Sequence, residues 1–316
     1  KVNAIITFSE DSLVKQYNQG YSAKQTLSEF LAGSKAKKLS SDMRARQDRV
    51  ASKLVRAGLV SEVKYGYSTI LDGIYVSTTF ANIAEIANYD GVARIILSNT
   101  YKPSVATENA VNVYDTGIFN SSDVSYTGKG TIVAILDTGC DYTHTAFTTH
   151  QVQQPLYDRN KIAELLPNTL AYGYDNTLEP REVYYGNVTK DKIAWGYDYA
   201  DKDPDVMPFG SEHGTHVAGI IGGKDDTITG VALDTQLAIM KVFSDYKEGA
   251  DDGDILAALE DCVTLGVDAI NMSLGTSCGF TREVDEQRKN EIYDSIEEAG
   301  ISLVVAASND YSSAAG

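Results

Sequence analysis

The chain has 316 residues, 43% hydrophobic and 22% charged, long enough for two domains with a full core and ordinary for a globular protein. No apolar run approaches the ~18 residues of a membrane span, and Cys140, Cys262 and Cys278 are too few for a disulfide framework and lack metal-binding C-x-x-C spacing, so they read as small buried residues. The net charge of −17 is unevenly spread: residues 1–104 hold 14 basic against 9 acidic side chains (+5), residues 105–316 hold 13 against 35 (−22). The strongly acidic larger part argues against nucleic acid as a partner, and the opposite signs give the two parts a long-range attraction that salt weakens.

In chain order, the first hundred residues read as a small α+β unit. VNAIITF (2–8) and ARIILS (93–98) are strand-like, and residues 61–80 alternate like a hairpin with its turn at Asp72 and Gly73. A helix is expected from Ser41 and Asp42 to Gly58, with Met43, Val50, Leu54 and Ala57 along one side, and a short one around residues 82–89. The basic face of the longer helix (Arg44, Arg46, Arg49, Lys53, Arg56) reads as solvated, with docking onto the acidic part as the alternative. Residues 99–128 lose periodicity, turn polar and Gly-bearing, and mark a linker, which divides the chain into 1–104 and 105–316.

Beyond the linker, apolar strand-like runs (TIVAILD, KIAWGYDYA, QLAIMKVF, VDAINMSL, ISLVVAAS) alternate with helical stretches (HVAGIIGG, DILAALEDCVTLG, VDEQRKNEIYDSIEEAG). Such alternation predicts an α/β fold with a doubly wound parallel sheet and chemistry at the carboxyl ends of its strands. Asp137 and Asn309 both stand at such ends.

Taken alone, an Asp after a strand is usually a cap and a His usually structural. The order and context of Asp137 in VAILDTG, His213 in HGTHVAG and Asn309 in VVAASN reverse that reading. His213 and His216 as a zinc pair is disfavoured because H-G-T-H lacks the glutamate of H-E-x-x-H, and His216 is expected to be a buried structural partner. At Asp137-Thr138-Gly139, His213-Gly-Thr-His216-Val-Ala-Gly, residues 230–243, Ser273-Leu274-Gly275 and Ala306-Ala307-Ser308-Asn309 the chain resembles the subtilisin-like serine proteases, the subtilases. The resemblance implies a serine endopeptidase acting on protein or peptide substrates. In it His213 is the general base, Asp137 orients and stabilises its imidazolium, Asn309 donates to the oxyanion, and Ser273, Leu274 and Gly275 line the substrate pocket.

Ser277 in Gly275-Thr276-Ser277 imitates the nucleophile motif but precedes Asn309 and runs into Cys278-Gly279-Phe280, so the true serine is expected beyond Gly316, on a companion polypeptide or in a separate part. KIAWGYDYADKDPDV before SEHGTHVAG is similar to the cell-envelope branch of the family, the lactocepin and C5a-peptidase-like enzymes, which implies a secreted or surface location in a Gram-positive bacterium. Residues 1–104 resemble the family's inhibitory propeptide, of ferredoxin-like α+β form, which would be removed by a cut near 99–107. The span between Asp137 and His213 predicts an extra surface loop at 150–190. The chemistry requires no cofactor. The resemblance admits structural calcium, with Asp141 as candidate ligand, whereas Asp201, Asp203 and Asp205 read as a solvated loop. Asp251, Asp252 and Asp254 suit a helix start, or else point to basic residues in the substrate. The rival reading is a pseudoprotease that keeps the fold for binding or chaperone work without a serine.

Overall fold

A computed structural model describes residues 1–104, 126–174, 176–276 and 284–307, with residues 284–289 as backbone only. The first unit runs β1 (Val2–Thr7), α1 (Leu13–Gly20), α2 (Leu27–Ala32), α3 (Ser34–Arg56), β2 (Val60–Tyr67), β3 (Gly73–Thr78), α4 (Ile83–Ala87) and β4 (Arg94–Leu97). Its antiparallel sheet has the order β2-β3-β1-β4, the split βαβ arrangement of ferredoxin-like units. Ala4, Ile6, Ile74 and Val76 on the sheet pack against Val50 and Leu54 of α3.

Two local expectations differ from what forms. The long helix begins at Ser34 because Lys35 to Leu39 are favourable helix formers following the extended cap Gly33; its end near Gly58, at φ +72°, is as expected. The short α1 and α2, capped by Ser12 and by the Thr26–Glu29 capping box, hold too few turns to show periodicity in the sequence. The hairpin turn is not at Asp72 and Gly73, since β3 already starts at Gly73 and residues 68–72 form the connection. That segment is committed elsewhere: Ser68, Thr69 and Ile70 donate their backbone N–H groups to the carboxylate of Glu260 at 3.2, 2.8 and 2.7 Å.

After β4 the chain forms β5 (Thr100–Pro103), which leaves this sheet. The larger unit continues with β6 (Ile132–Asp137), α5 (Thr145–Thr148), α6 (Arg159–Leu165), α7 (Leu170–Tyr174), α8 (Pro180–Val183), α9 (Gly186–Thr189), β7 (Ile193–Asp198) and α10 (His213–Gly222). It is completed by β8 (Gln236–Lys241), β9 (Ala250–Asp251), α11 (Asp252–Leu265), β10 (Ala269–Met272), β11 (Leu274–Gly275), α12 (Val284–Glu298) and β12 (Ser302–Val305). The five-stranded sheet has the order β12-β10-β6-β8-β7 with every neighbouring pair parallel. β7 and β8 are buried throughout, as continuous apolar strands covered on both faces must be.

Residues 150–190 are not a surface loop. They fold into α6 to α9, and Ile162, Leu165, Leu170, Ala171 and Val183 enter the main core. α7 is seated on α11 by Asp261, which accepts from Leu170 N at 2.6 Å and Ala171 N at 3.0 Å.

The two units meet largely through tyrosines, and of the basic helix face Arg44 lines a pocket with Glu260 and Asp261 of the larger unit. Tyr67 Oη donates to Gly253 O at 2.9 Å, Tyr65 Oη donates to Tyr199 O, and the Tyr75 ring fills the space where a Cβ on Gly253 would stand, 2.1 Å away. Arg49, Lys53 and Arg56 are exposed, and Arg46 pairs with Glu10 and Asp72 inside its own unit. Glu260→Ala strips the acceptor from three backbone N–H groups, each worth about 1–3 kcal/mol when left buried and unpaired. Chemical denaturation of that variant should therefore show a loss of at least about 3 kcal/mol or an early separate unfolding step of the first unit.

Candidate active site

Asp137 is the last residue of β6 and is 1% exposed. The chain turns away at Gly139, φ +102°, where a Cβ would lie 2.4 Å from Val206 O, so only glycine fits. His213 opens α10, and that helix end comes close because residue 214 is also glycine: a Cβ there would be 2.1 Å from Gly139 O. His213 Nδ1 and Asp137 Oδ1 are 2.7 Å apart. Thr138 fixes the arrangement, donating its N–H to Asp137 Oδ1 at 2.7 Å, accepting from Gly214 N at 3.0 Å and donating its hydroxyl to Ser211 O at 3.0 Å.

The expected pocket segment Ser273 to Gly275 is paired with the chain's own β5. Leu274 stands opposite Pro103 and Gly275 opposite Lys102, while on the other edge Tyr101 and Thr100 face Ala250 and Asp251. Gly249, φ +78°, leaves room for that strand, since a Cβ would meet Thr100 Cγ2 at 2.3 Å. Beyond β5, Ser104 N donates to Ser273 O at 2.7 Å and Ser104 O lies 2.9 Å from His213 Nε2. Both ring nitrogens of His213 thus face acceptors, and the form satisfying both is the imidazolium. The hydrogen bond to Asp137 raises the His213 pKa above its ordinary 6.5 against the opposing effect of burial, with the Asp137 charge and Ser104 O adding to the rise.

Other expected residues fall differently. His216 is exposed, not buried, because α10 turns Gly214, Val217 and Ala218 inward. Asp141 Oδ1 is engaged locally by Thr143 N at 2.9 Å and Thr143 Oγ1 at 2.6 Å. Asp198, Asp201 and Asp245 form an acidic cluster among the described residues, and the Lys241 ammonium sits within it, in contact with Asp198, 2.7 Å from Asp245 and 3.9 Å from Asp201. Burial lowers the Lys241 pKa, but hydrogen bonds to Asp198 and Asp245 more than offset this and keep it charged. Asn309, Ser277 and Cys278 lie outside the described residues; Cys140 and Cys262 are buried free thiols. Sequence reasoning missed Ser104 and Tyr101; it placed Asp252 at a helix start, as α11 has it, but not in contact with the first unit. The signal available was the acidic run at 251–254, which binds the first unit: Asp251 accepts from Asn3 Nδ2 at 3.1 Å, and Asp252 from Asn99 N at 2.7 Å and Tyr101 Oη at 2.6 Å.

Because the folded His213 pKa is raised, its contribution to stability is complete below about pH 6.5 and is lost as pH climbs through the raised value. Imidazole NMR titration of the intact chain should place the His213 midpoint above 6.5, and Asp137→Asn should lower it; a midpoint at or below 6.5 would contradict the assigned hydrogen bonds.

The sequence model of peptidase S8, the subtilase family, matches residues 128–316. The chain is 29% identical over 259 residues to a PII-type proteinase of Lacticaseibacillus paracasei, covering 78% of this chain and 12% of that protein. It is 29% identical over 198 residues to a C5a peptidase of Streptococcus pyogenes, covering 58% of this chain and 15% of that protein. The chain therefore spans about an eighth of the length of these relatives. Among solved structures, the fold is similar to that of fervidolysin from Fervidobacterium pennivorans, with TM-score 0.55 and 17% identity over 99% of this chain and 40% of that one. It is also similar to the epidermin leader peptide processing serine protease of Staphylococcus aureus, with TM-score 0.53 and 16% identity over 98% and 60% of the two chains.

Proposed function

The chain belongs to the subtilase family, and from that premise we propose that it forms the base-bearing part of a serine endopeptidase, with residues 1–104 as its intramolecular inhibitory propeptide. The observation that carries this reading is the Ser104 carbonyl on His213 Nε2, with Asp137 behind the ring and the preceding residues paired along β11. An extended segment presented in this way to a carboxylate-oriented histidine has the geometry of a substrate held at its cleavage site.

In this mechanism the nucleophile is a serine hydroxyl from sequence outside 1–316, on a companion polypeptide or another part of the protein, since Ser277 lacks the motif that should follow it. The serine Oγ takes the place of Ser104 O at His213 Nε2 and attacks the Ser104 carbonyl carbon as its proton passes to His213. Asp137 stabilises the imidazolium, and the Asn309 side-chain amide donates to the oxyanion, a contact worth about 3–4 kcal/mol in subtilisin. Collapse breaks the Ser104–Val105 bond, His213 returns the proton to the departing amine of Val105, and water then hydrolyses the acyl-serine. Removal of residues 1–104 frees the same strand position for protein and peptide substrates. We place the enzyme outside the cell, secreted or at the surface of a Gram-positive bacterium, on its likeness to the cell-envelope branch.

The full-length protein tests this directly. A fluorophosphonate should label one serine outside 1–316, amino-terminal sequencing of matured protein should begin at Val105, and His213→Ala should abolish maturation, by about 10^6-fold on the scale known for subtilisin. Absence of serine labelling in protein already cut between the two units would sink the reading.

A further inference from the structure

We infer that Lys241 is a positioning residue for the Asp137–His213 pair: its methylene stem backs the turn that carries Asp137, and its ammonium anchors the loop that closes over that turn. The inference goes beyond the peptidase reading above, since it concerns how the pair is held. Asp137, Asp198 and Lys241 end three neighbouring strands, and Lys241, on β8 between the other two, is in register with both. Val242 N donates to Asp137 O at 3.0 Å, and Tyr199 N donates to Lys241 O at 2.8 Å. The Lys241 side chain is 1% exposed and runs along the turn after β6, where a Cβ on Gly139 would lie 3.0 Å from Lys241 Cδ. Val206 O, which crowds the same point, accepts from Cys140 N at 2.8 Å. Gly214 at the start of α10 packs on the backbone of Gly139, so any shift of this turn moves Asp137 relative to His213.

Past Gly139 the ammonium meets the carboxylates of Asp198, Asp245 and Asp201. These three groups are linked to one another. Asp201 N donates to Asp198 Oδ1 at 2.9 Å, and Asp245 N and Ser244 Oγ donate to Asp201 at 2.7 and 2.6 Å. One cation therefore fastens the loop after β7, which delivers Val206, to the loop after β8. A buried ion pair adds little net stability compared with an apolar replacement, but carboxylates gathered on a single ammonium fix one arrangement of the loops that carry them. Asp137 needs such outside support. Among the described residues its carboxylate is bonded through Oδ1 alone, by Thr138 N and His213 Nδ1, while Oδ2 is buried without a hydrogen-bond partner. Its aim at His213 is thus set by the backbone of the turn, which Lys241 and Val206 hold in place.

Lys241→Met keeps most of the stem and removes the ammonium. Imidazole NMR titration of the intact full-length protein, checked for native folding by near-ultraviolet circular dichroism, should find the proton affinity of His213 reduced about 3–10-fold, the range of one weakened hydrogen bond. Loss of a cation by itself acts in the opposite direction, because it favours the imidazolium. A His213 affinity that is unchanged or raised in folded Lys241→Met therefore overturns the proposal. Asp198→Asn/Lys241→Met, which removes the adjoining carboxylate together with the cation, should show the same fall, and no fall there overturns the proposal equally. If both lysine variants fail to fold, Asp245→Ala decides, since it takes one partner from the ammonium at a half-buried loop position. Amide hydrogen exchange at Cys140, whose N–H bonds Val206 O, should then quicken about threefold or more, with Ile135 in the middle of β6 unchanged; unaltered exchange at Cys140 overturns the proposal. In peptide hydrolysis by the full-length protein, Lys241→Met should lower kcat and leave KM in place. If the wild type hydrolyses no peptide, the peptidase reading fails, and the His213 titration still decides the role of Lys241.

Discussion

The small sheet β11-β5-β9 exists only because β5 is in it. Among the described residues β11 and β9 are two residues long each and share no pairing with one another; each is paired there with β5 alone. Strands so short have no stability of their own, so the segment of residues 100–104 is what completes the structure around His213. The amino-terminal unit is anchored beside that slot and so holds the strand there at high effective concentration. Tyr67 of β2, Tyr75 of β3, the three N–H groups of residues 68–70 and the side chain of Asn3 all meet one element, α11 or the residue before it, while Tyr65 donates to Tyr199 O. The slot and the anchor are therefore rigidly related, because α11 begins where β9 ends.

α11 carries this role through its carboxylates. Asp251, Asp252, Glu260 and Asp261 each accept from groups outside the helix: an amide side chain, a phenol and backbone N–H groups on both sides. Buried charge is costly unless it is bonded in this way, and removing one partner exposes the full desolvation penalty. Gly253 complements them by lacking a side chain where Tyr75 must lie. The acidic character of the larger unit is thus partly structural, with Asp251, Asp252 and Glu260 binding the basic unit, while the attraction between opposite net charges acts at longer range.

Much of this was legible in the sequence, for identifiable reasons. The five parallel strands were visible because their apolar runs are continuous, and the Asp137–His213 pair because strand-end and helix-start motifs place both residues at the carboxyl edge of the sheet. The helices between residues 150 and 190 were not, because each is too short to show a period, and the seating of α7 depends on Asp261, about ninety positions away. His216 misled since a motif fixes which residue starts the helix but not which face the rest present to the core. The roles of Tyr101, Ser104 and Asp252 were hidden for the same reason as that of Glu260: each is defined by a partner more than a hundred residues distant.

On the proposed reading, His213 ties the inhibited and active states together. With Asp137 on Nδ1 and the Ser104 carbonyl on Nε2, the ring is best satisfied as an imidazolium. In the proposed mechanism that is also the form reached once the serine proton has been taken, so the tail favours the protonation state of the middle of the reaction and disfavours the neutral base needed to begin it. A rise in pH acts on both in one direction: it removes the donor that holds the tail carbonyl and creates the lone pair that accepts a proton. The tail is held by many other contacts, so this single bond tilts the balance and does not set it. In the proposed mechanism inhibition then depends mainly on how long the anchored strand keeps its place, with the charge on His213 as the component that ordinary changes of pH can reach.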